Sequence, residues 1–450
     1  MKKRVQEETI IIVSVAKWIV LATIVGVIVG VSTTLFVKTL NRGAELTKEY
    51  PYYFLMIPIG LLASTIIIKY IFPQAEGHGA NRVIESVHKF SGKLKPIMVP
   101  VEFLRTFITL TSGGSAGKEG PSAQIGAGLA SMFADLLKFE GADRRKLVIC
   151  GISGGFASVF GTPLAGAIFG IEVLFAGSIL YEVLLPSFVA GIISYQVSSW
   201  LGLTYFYHPV SFVPVFSEAF FLKVVIAGVF FGLSSFLLVE TLRLGNKISK
   251  SIKLPMEIKS VAAGAVLVVL TLIFSTHYLG LGLETLQSAL EGKDVPWYAF
   301  IMKAIFTSIT LNFGGSGGIG TPIFFVGATA GNFFSKILDV DASMLAAIGF
   351  VSLLAGAANT PIAASIMSVE LFGAEVAPYA AIACVISFLI TGHRSAYPSQ
   401  VLAVRKSSSI DVSIGEELSK VKPDYQYRDK SLIGVVKSFW KVSGRNEGKR

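Results

Sequence analysis

Charge and cysteine are the two things that this sequence has least of. Asp, Glu, Lys and Arg make up only 15% of the 450 residues, whereas 52% are hydrophobic, too many for a soluble globular protein. The two cysteines, Cys150 and Cys384, fall in apolar surroundings and indicate neither a disulfide framework nor a metal site. Four of the five histidines show no metal-ligand spacing. These scarcities exclude a disulfide-rich secreted domain and indicate a membrane protein that needs no cofactor.

Apolar segments of two lengths divide the chain. Long runs that can cross or nearly cross a bilayer cover residues 10–37, 53–72, 222–239 and 261–274. Shorter runs at 344–355 and 361–371 are broken by Gly or Pro, and such discontinuous helices are tolerated at membrane depth only where protein or a water-filled cavity satisfies the backbone. We therefore predict an all-α, multi-pass protein embedded in the lipid bilayer.

The net charge of +10 comes from basic residues at the two ends and in one connector. They are Lys2, Lys3, Arg4, Arg243, Lys247, Lys250, Lys253, Lys259, Lys437, Lys441, Arg445, Lys449 and Arg450. Cytoplasmic segments of membrane proteins carry an excess of Lys and Arg, so this pattern predicts cytoplasmic N- and C-termini and no nucleic-acid partner. We interpret the N-terminal run as a retained first helix, because no small-residue cleavage pattern follows it.

A glycine-rich stretch at 113–126 contains Glu119 between long apolar runs. A charged side chain at bilayer depth costs about 2.5–3.5 kcal/mol, which makes Glu119 a candidate functional residue. Pro121 suits the first turn of a helix. Glycines let the backbone approach a small ligand and expose its N–H groups. The stretch therefore predicts a helix N-terminus that attracts an anion. We interpret Gly126, Gly128, Gly166 and Gly170 as helix-packing residues.

The same pattern returns in the second half of the chain. The stretch 314–322 repeats the glycine-rich start, and Pro322 follows Pro121 by 201 positions. The repeat has Gly320 where the first copy has Glu119, so the scaffold recurs without the carboxylate. A second pair of helix starts, at Pro163 and Pro361, follows 198 positions apart. Two such halves predict a duplicated transporter whose binding site lies between the repeats.

These boundaries give four parts. We predict a cytoplasmic N-terminus at 1–9, a first membrane repeat at 10–210, a second membrane repeat at 211–406 and a short cytoplasmic tail at 407–450. The tail is too short for a sizeable soluble domain, so paired nucleotide-binding domains are not expected.

The two motifs resemble those of a known family. Residues 117–121, Gly-Lys-Glu-Gly-Pro, look like the G-[RK]-E-G-P signature of the CLC chloride channels and transporters, and residues 317–322 resemble their G-G-x-F-x-P segment. Together with the repeat and Tyr397 near the end of the membrane portion, the likeness covers about residues 10–406. It implies a homodimer in which each subunit consists of two inverted repeats with discontinuous, tilted helices. Each subunit is expected to contain one pathway for small anions, and chloride is the expected anion.

The resemblance also assigns roles to individual residues. Backbone N–H groups of Ile319 and Gly320 and the Tyr397 hydroxyl are expected to hold a central anion. Those of Lys118, Glu119 and Gly120 frame an outer site. The Glu119 carboxylate imitates the anion, occupies the site as a gate, and leaves it on protonation.

Two departures from the family pattern bear on ion choice and on protons. His78 stands where the family serine supplies a hydroxyl; it could donate an N–H to the anion or turn away. Glu172 is followed by Val173, where many family exchangers carry a second, proton-passing glutamate. Glu172 itself is expected to cap or pair at a buried helix end. The sequence thus leaves proton-coupled exchange and a passive channel open. Pro121 and Tyr397 follow the chloride-type pattern and argue against the fluoride-exporting branch.

Other functions fit the sequence less well. Three G-x-S-x-G matches, at Ser115, Ser153 and Ser316, with His78 as a base, would suggest an intramembrane serine hydrolase, but that motif requires a strand before the serine. Helix N-termini facing the site disfavour a cation transporter. We interpret Arg105 as a snorkelling or interface-facing arginine.

Overall fold

The computed structural model describes residues 2–75, 79–205, 207–208, 210, 217–421 and 424–425, and α-helices dominate this part of the chain. The helices are α1 (Lys2–Lys48), α2 (Ile57–Ile66), α3 (Gly79–Lys89), α4 (Met98–Thr111), α5 (Glu119–Leu136), α6 (Gly141–Phe160), α7 (Pro163–Glu172), α8 (Leu184–Trp200), α9 (Glu218–Ser251), α10 (Met256–Phe274), α11 (Leu283–Leu290), α12 (Ala299–Asn312), α13 (Gly320–Leu338), α14 (Ala342–Ala358), α15 (Pro361–Phe372) and α16 (Ala377–Thr391). The described residues also contain short 3-10 and π-helical segments and four two-residue strands: β1 (Phe175–Ala176), β2 (Val401–Leu402), β3 (Ile410–Asp411) and β4 (Asp424–Tyr425). The predicted all-α class is confirmed.

Within the residues that the structure describes, five helical stretches are long and apolar enough to cross a membrane. They cover Lys3–Thr47, Tyr53–Ile71, Tyr181–Trp200, Glu218–Ser251 and Met256–Phe274. Their outer faces present large apolar side chains such as Leu272 and Ile273, which are 67% and 66% exposed. A helix face of this kind suits contact with lipid and not with water.

Two short helices begin at the predicted breaks. A residue in the left-handed conformation ends each preceding helix: Gly161 with φ 72° follows α6, and Asn359 with φ 55° follows α14. A proline then opens the next helix, which spans 10 residues in α7 and 12 residues in α15. Because proline needs no N–H partner in a first helical turn, each sequence stops one helix and starts another within three residues.

Glycines bring pairs of helices into backbone contact. A Cβ at Gly126 in α5 would overlap the carbonyl of Gly151 in α6, and one at Gly327 in α13 would overlap the carbonyl of Gly349 in α14. The two crossings stand at equivalent places in the two repeats. The predicted packing role of the glycines is confirmed, and it places α5 and α13 in the interior, where most of their residues are buried.

The segment after Tyr397 folds back along itself. Strand β2 pairs in parallel with β1, directly after α7. The N–H groups of Gly415 and Leu418 donate to the carbonyls of Leu402 and Gln400 at 2.7 and 2.8 Å. Lys89 at the end of α3 forms an ion pair with Glu417 at 2.7 Å. The first part of the predicted tail is therefore attached to the ends of α3 and α7.

Candidate functional site

The two glycine-rich loops meet in the middle of the molecule. Gly117 and Gly318 exchange two main-chain hydrogen bonds, each 2.7 Å long, and form an isolated antiparallel bridge. Each loop is also fixed by the other repeat: the Ser115 N–H donates to the Thr310 hydroxyl, and the Ser316 N–H to the Thr109 hydroxyl, both at 3.0 Å. These reciprocal bonds set α5 and α13 against each other at their N-termini.

Glu119 lies in the first turn of α5, and only 2% of it is exposed. Its carboxylate accepts a 2.8 Å hydrogen bond from the main-chain N–H of Thr321 and a second, short one from the Thr321 hydroxyl. Thr321 is in the first turn of α13. A carboxylate of one repeat thus occupies the helix N-terminus of the other, where partial positive charge favours an anion.

Three glycines make room for this carboxylate and for the backbone around it. A Cβ at Gly117 would overlap a Glu119 carboxylate oxygen, and one at Gly320 would lie 3.0–3.2 Å from Glu119 atoms. Gly120 abuts Gly318, whose Cα would lie 2.9 Å from an added Cβ. A side chain at position 320 would therefore crowd the Glu119 carboxylate in this position.

Positive charge and a phenol surround Glu119. Lys118, half-buried, precedes the first turn of α5, and its ammonium attracts the Glu119 carboxylate. Ile319 precedes α13 and is 7% exposed. Tyr397 is 4% exposed and within electrostatic range of Glu119. The structure thus brings together the predicted site residues except His78, which lies outside the described residues.

Tyr397 is held by an amide that the sequence did not single out. The fully buried Gln400 donates to the carbonyls of Val173 and Ala358 at 2.8 and 2.7 Å. Its oxygen accepts from the Ser395 hydroxyl, which in turn accepts from the Tyr397 N–H at 2.9 Å. The Tyr397 turn is thereby tied to the ends of α7 and α14.

A fully buried lysine is a further residue that the sequence did not single out. Lys303 in α12 donates to the carbonyls of Tyr278 and Gly280 at 3.1 and 2.9 Å, and its charge is within electrostatic range of Glu119. The signal that could have found it was its place 201 positions after Glu102, the same offset as the two motif prolines.

The prediction for Arg105 was wrong. Arg105 is 1% exposed, and its Nε donates to the carbonyl and hydroxyl oxygens of Ser64, both at 3.2 Å. It does not face the membrane interface, because α2 covers it. A lone arginine within an apolar segment does not reveal which neighbouring helix will contact it.

Glu172 has the capping role that was predicted. Its carboxylate accepts from the Ile362 and Ala363 N–H groups at 3.1 and 2.8 Å, at the start of α15. Glu370 accepts from Leu164 and Ala165 at 2.9 and 2.8 Å, at the start of α7. Each short helix therefore caps the other.

The serines of the G-x-S-x-G matches are structural. Ser115 bonds to the Thr307 hydroxyl at 3.1 Å, Ser316 donates to Glu102 at 3.3 Å, and Ser153 donates to the Ala167 carbonyl at 3.3 Å. All three precede or lie within helices and not after a strand. A serine hydrolase is therefore excluded.

Comparisons with known proteins agree with this geometry. The family model described as "Voltage gated chloride channel" matches residues 59–392. A "Chloride/fluoride channel protein" of Pseudomonas syringae pv. tomato is 35% identical over 408 residues, 89% of this chain and 89% of that protein. The "Voltage-gated ClC-type chloride channel ClcB" of Shigella flexneri is 28% identical over 349 residues, 74% of this chain and 82% of that protein.

Two solved structures share the fold. A CLC-type fluoride/proton antiporter superposes with a TM-score of 0.82 at 26% identity and covers 86% of this chain and 98% of its own. A slow cyanobacterial chloride/proton antiporter superposes with a TM-score of 0.72 at 19% identity, over 83% of this chain and 94% of its own. The second likeness concerns the fold alone.

Proposed function

This chain belongs to the CLC family of voltage-gated chloride channels and transporters, and we propose that it exchanges a small halide for protons, with Glu119 as both gate and proton carrier. It is a membrane protein that transports anions and is not an enzyme. The observation that carries the proposal is the Glu119 carboxylate on the Thr321 N–H and hydroxyl of the opposite repeat.

The proposed cycle follows from the charge of that carboxylate. Ionised, Glu119 fills the N-terminus of α13 and excludes a halide from that helix end. Protonated, it loses its charge and with it most of its attraction to the helix N-terminus, so it leaves and a halide enters. The Ile319 and Gly320 N–H groups and the Tyr397 hydroxyl then hold the ion centrally, and Lys118 and Gly120 contribute N–H groups to an outer site. His78 remains a predicted ligand.

Proton coupling is proposed because the Glu119 carboxylate both binds the proton and competes with the halide. A halide and an ionised Glu119 compete for one helix N-terminus, so each proton that neutralises the carboxylate admits one anion. The alternative is a passive channel, favoured by Val173, which supplies no inner carboxylate after Glu172. In that case Glu119 gates the pathway without passing protons through the membrane.

The identity of the halide is part of the proposal. Chloride is the ion predicted from Pro121 and Tyr397. However, the 35% identical relative is named a chloride/fluoride channel protein, and the structure with a TM-score of 0.82 is a fluoride/proton antiporter. Fluoride is the smaller ion and accepts stronger hydrogen bonds, and the Thr321 hydroxyl, which donates to the Glu119 carboxylate, is free to donate to an ion once that carboxylate leaves. Both halides therefore belong in the first measurement.

The test is efflux from proteoliposomes loaded with chloride or with fluoride, with external pH recorded at the same time. Wild type is expected to release halide and take up protons, even against a proton gradient. Glu119→Gln cannot be ionised, so it is expected to abolish proton movement. Halide efflux from wild type without any proton signal would establish the channel alternative.

Assembly and orientation are also proposed from the family. We expect a homodimer with one pathway per subunit and both chain ends in the cytoplasm. The basic residues at the ends and in the α9–α10 connector support that orientation. Light scattering of the purified protein in detergent measures the assembly directly, and a monomer mass would contradict it.

A further inference from the structure

Three carboxyl side chains are buried among the described residues, and one of them, Glu102, has two hydroxyl partners. Glu102, Glu119 and Glu172 are 2%, 2% and 4% exposed. Glu119 and Glu172 each accept a main-chain N–H at 2.8 Å. Glu102 in α4 instead accepts from the hydroxyls of Ser316 and Thr106, at 3.3 and 3.4 Å, with the Gly79 N–H also facing it.

Hydroxyl partners suit a group that changes protonation. An N–H can only donate, so it serves an ionised carboxylate and not the proton of a carboxylic acid. A serine or threonine hydroxyl donates to the ionised form and, after rotation, accepts from the protonated form. The two hydroxyl partners of Glu102 can therefore satisfy it in both states, whereas the two N–H groups on Glu172 favour only the charged one.

The other groups around Glu102 are either positively charged or neutral. Arg105, one turn along α4, supplies the nearby positive charge. Within the described residues, the other groups that contact Glu102 are the Thr106 hydroxyl, the Gly79 N–H and the Ser316 hydroxyl, none of which titrates, and Ser64 of α2 bonds to Arg105. Residues 76–78 lie outside the described part of the chain.

The repeat shows that the scaffold does not need a carboxylate here. Lys303 stands 201 positions after Glu102, and Gly280 stands 201 positions after Gly79. Both glycines have φ 52°, so the backbones match. Glu102 faces the Gly79 N–H, whereas Lys303 donates to the Gly280 carbonyl at 2.9 Å. The position thus accepts either charge.

The backbone that contacts Glu102 adjoins the backbone next to Glu119. An added Cβ on Gly79 would lie 3.6 Å from the Gly120 Cα, and Gly120 follows Glu119. Ser316, the hydroxyl partner of Glu102, is two residues before Gly318, which is bonded to Gly117. The groups that contact Glu102 therefore belong to backbone segments that also adjoin Glu119.

We propose that Glu102 is a second proton carrier of the exchange, in a chain where Val173 provides no carboxylate after Glu172. The inference rests on the proposed proton coupling. A proton adds to the Glu102 carboxylate, the Ser316 hydroxyl turns from donor to acceptor, and loss of the proton restores the first state. The step needs no reactant other than the transported proton.

The experiment is halide efflux with proton recording, in proteoliposomes of wild type, Glu102→Gln and Glu370→Gln. Glutamine keeps the hydrogen-bonding oxygen but carries no proton, so Glu102→Gln is expected to lower the number of protons moved per halide by about tenfold or more. Glu370→Gln, a half-buried helix cap, is the matched control and is expected to keep the wild-type ratio. An unchanged ratio in Glu102→Gln overturns the inference.

Two further results keep the inference separate from folding and from the proposed function. If Glu102→Gln does not insert, Ser316→Ala is expected to lower the ratio and Ser316→Thr, which retains a hydroxyl, to restore it; equal ratios in these two variants overturn the role of Glu102. Wild type that moves halide without protons contradicts the proposed exchange itself, whereas coupled wild type with coupled Glu102→Gln contradicts the inference alone.

Discussion

Glu172 and Glu370 each cap the helix that carries the other. The exchange of carboxylates fastens α7 of the first repeat to α15 of the second through four hydrogen bonds of 2.8–3.1 Å. Both helices begin at a proline, and the side chains of their N-cap residues, Thr162 and Thr360, make no capping hydrogen bond. The partner glutamate therefore takes the place of a local cap.

Glu172→Ala is expected to lower the free energy of unfolding by about 2–4 kcal/mol, because two N–H groups in a buried setting lose a charged acceptor. Glu370→Ala is expected to cost only about 1 kcal/mol, since that carboxylate is half-buried and water can replace it. Thermal unfolding in detergent shows which of the two variants loses more stability. A larger loss in Glu370→Ala would contradict the burial argument.

Thr321→Val tests the hold on the gate. The variant keeps the main-chain N–H but removes the hydroxyl that donates to Glu119, a loss of about 1.5–3 kcal/mol for a bond to a charged group. The gate should occupy the site less often, and halide efflux at neutral pH should rise by about tenfold or more. Thr321→Ser retains the hydroxyl and serves as the control. Equal rates in both variants would exclude a role for the hydroxyl.

The attachment of the tail is expected to weaken in acid. The hydrogen bond from Lys89 holds the pKa of Glu417 below its usual range. A carboxyl group with a lowered pKa stabilises the folded state above its ordinary value of about 4.3 and loses that contribution as the pH falls through the lowered value. Hydrogen-exchange protection of residues 398–421 should therefore fall in acid, and Glu417→Gln should remove that pH dependence.

The side of the membrane on which the tail lies can be found by thiol labelling. Cys150 and Cys384 are fully buried, so they give little background. A cysteine introduced as Ser407→Cys should react with a membrane-impermeant maleimide in inverted vesicles and not in intact cells. Labelling in intact cells instead would place this end of the chain outside.

The sequence predicted the frame of the site better than its contacts. Glycine patterns, a 201-residue offset and two helix-starting prolines identified both loops, because backbone requirements leave a local signature. Thr321 as the partner of Glu119 left none, since the bond joins residues of different repeats. The burial of Arg105 and Lys303 was not predicted, because the groups that cover these side chains are distant in the sequence. Ser64 contacts Arg105, and the carbonyls of Tyr278 and Gly280 contact Lys303.

The separation of Glu119 from Thr321 also bears on how the protein is made. The two residues are 202 positions apart, and a ribosome that adds about 5–20 residues per second needs about 10–40 s to cover that distance. During this interval the first repeat already contains its carboxylate, but the donors that hold it have not been synthesised. Membrane insertion therefore has to shelter an unpartnered acid in the translocon, or in its protonated form, until the second repeat arrives.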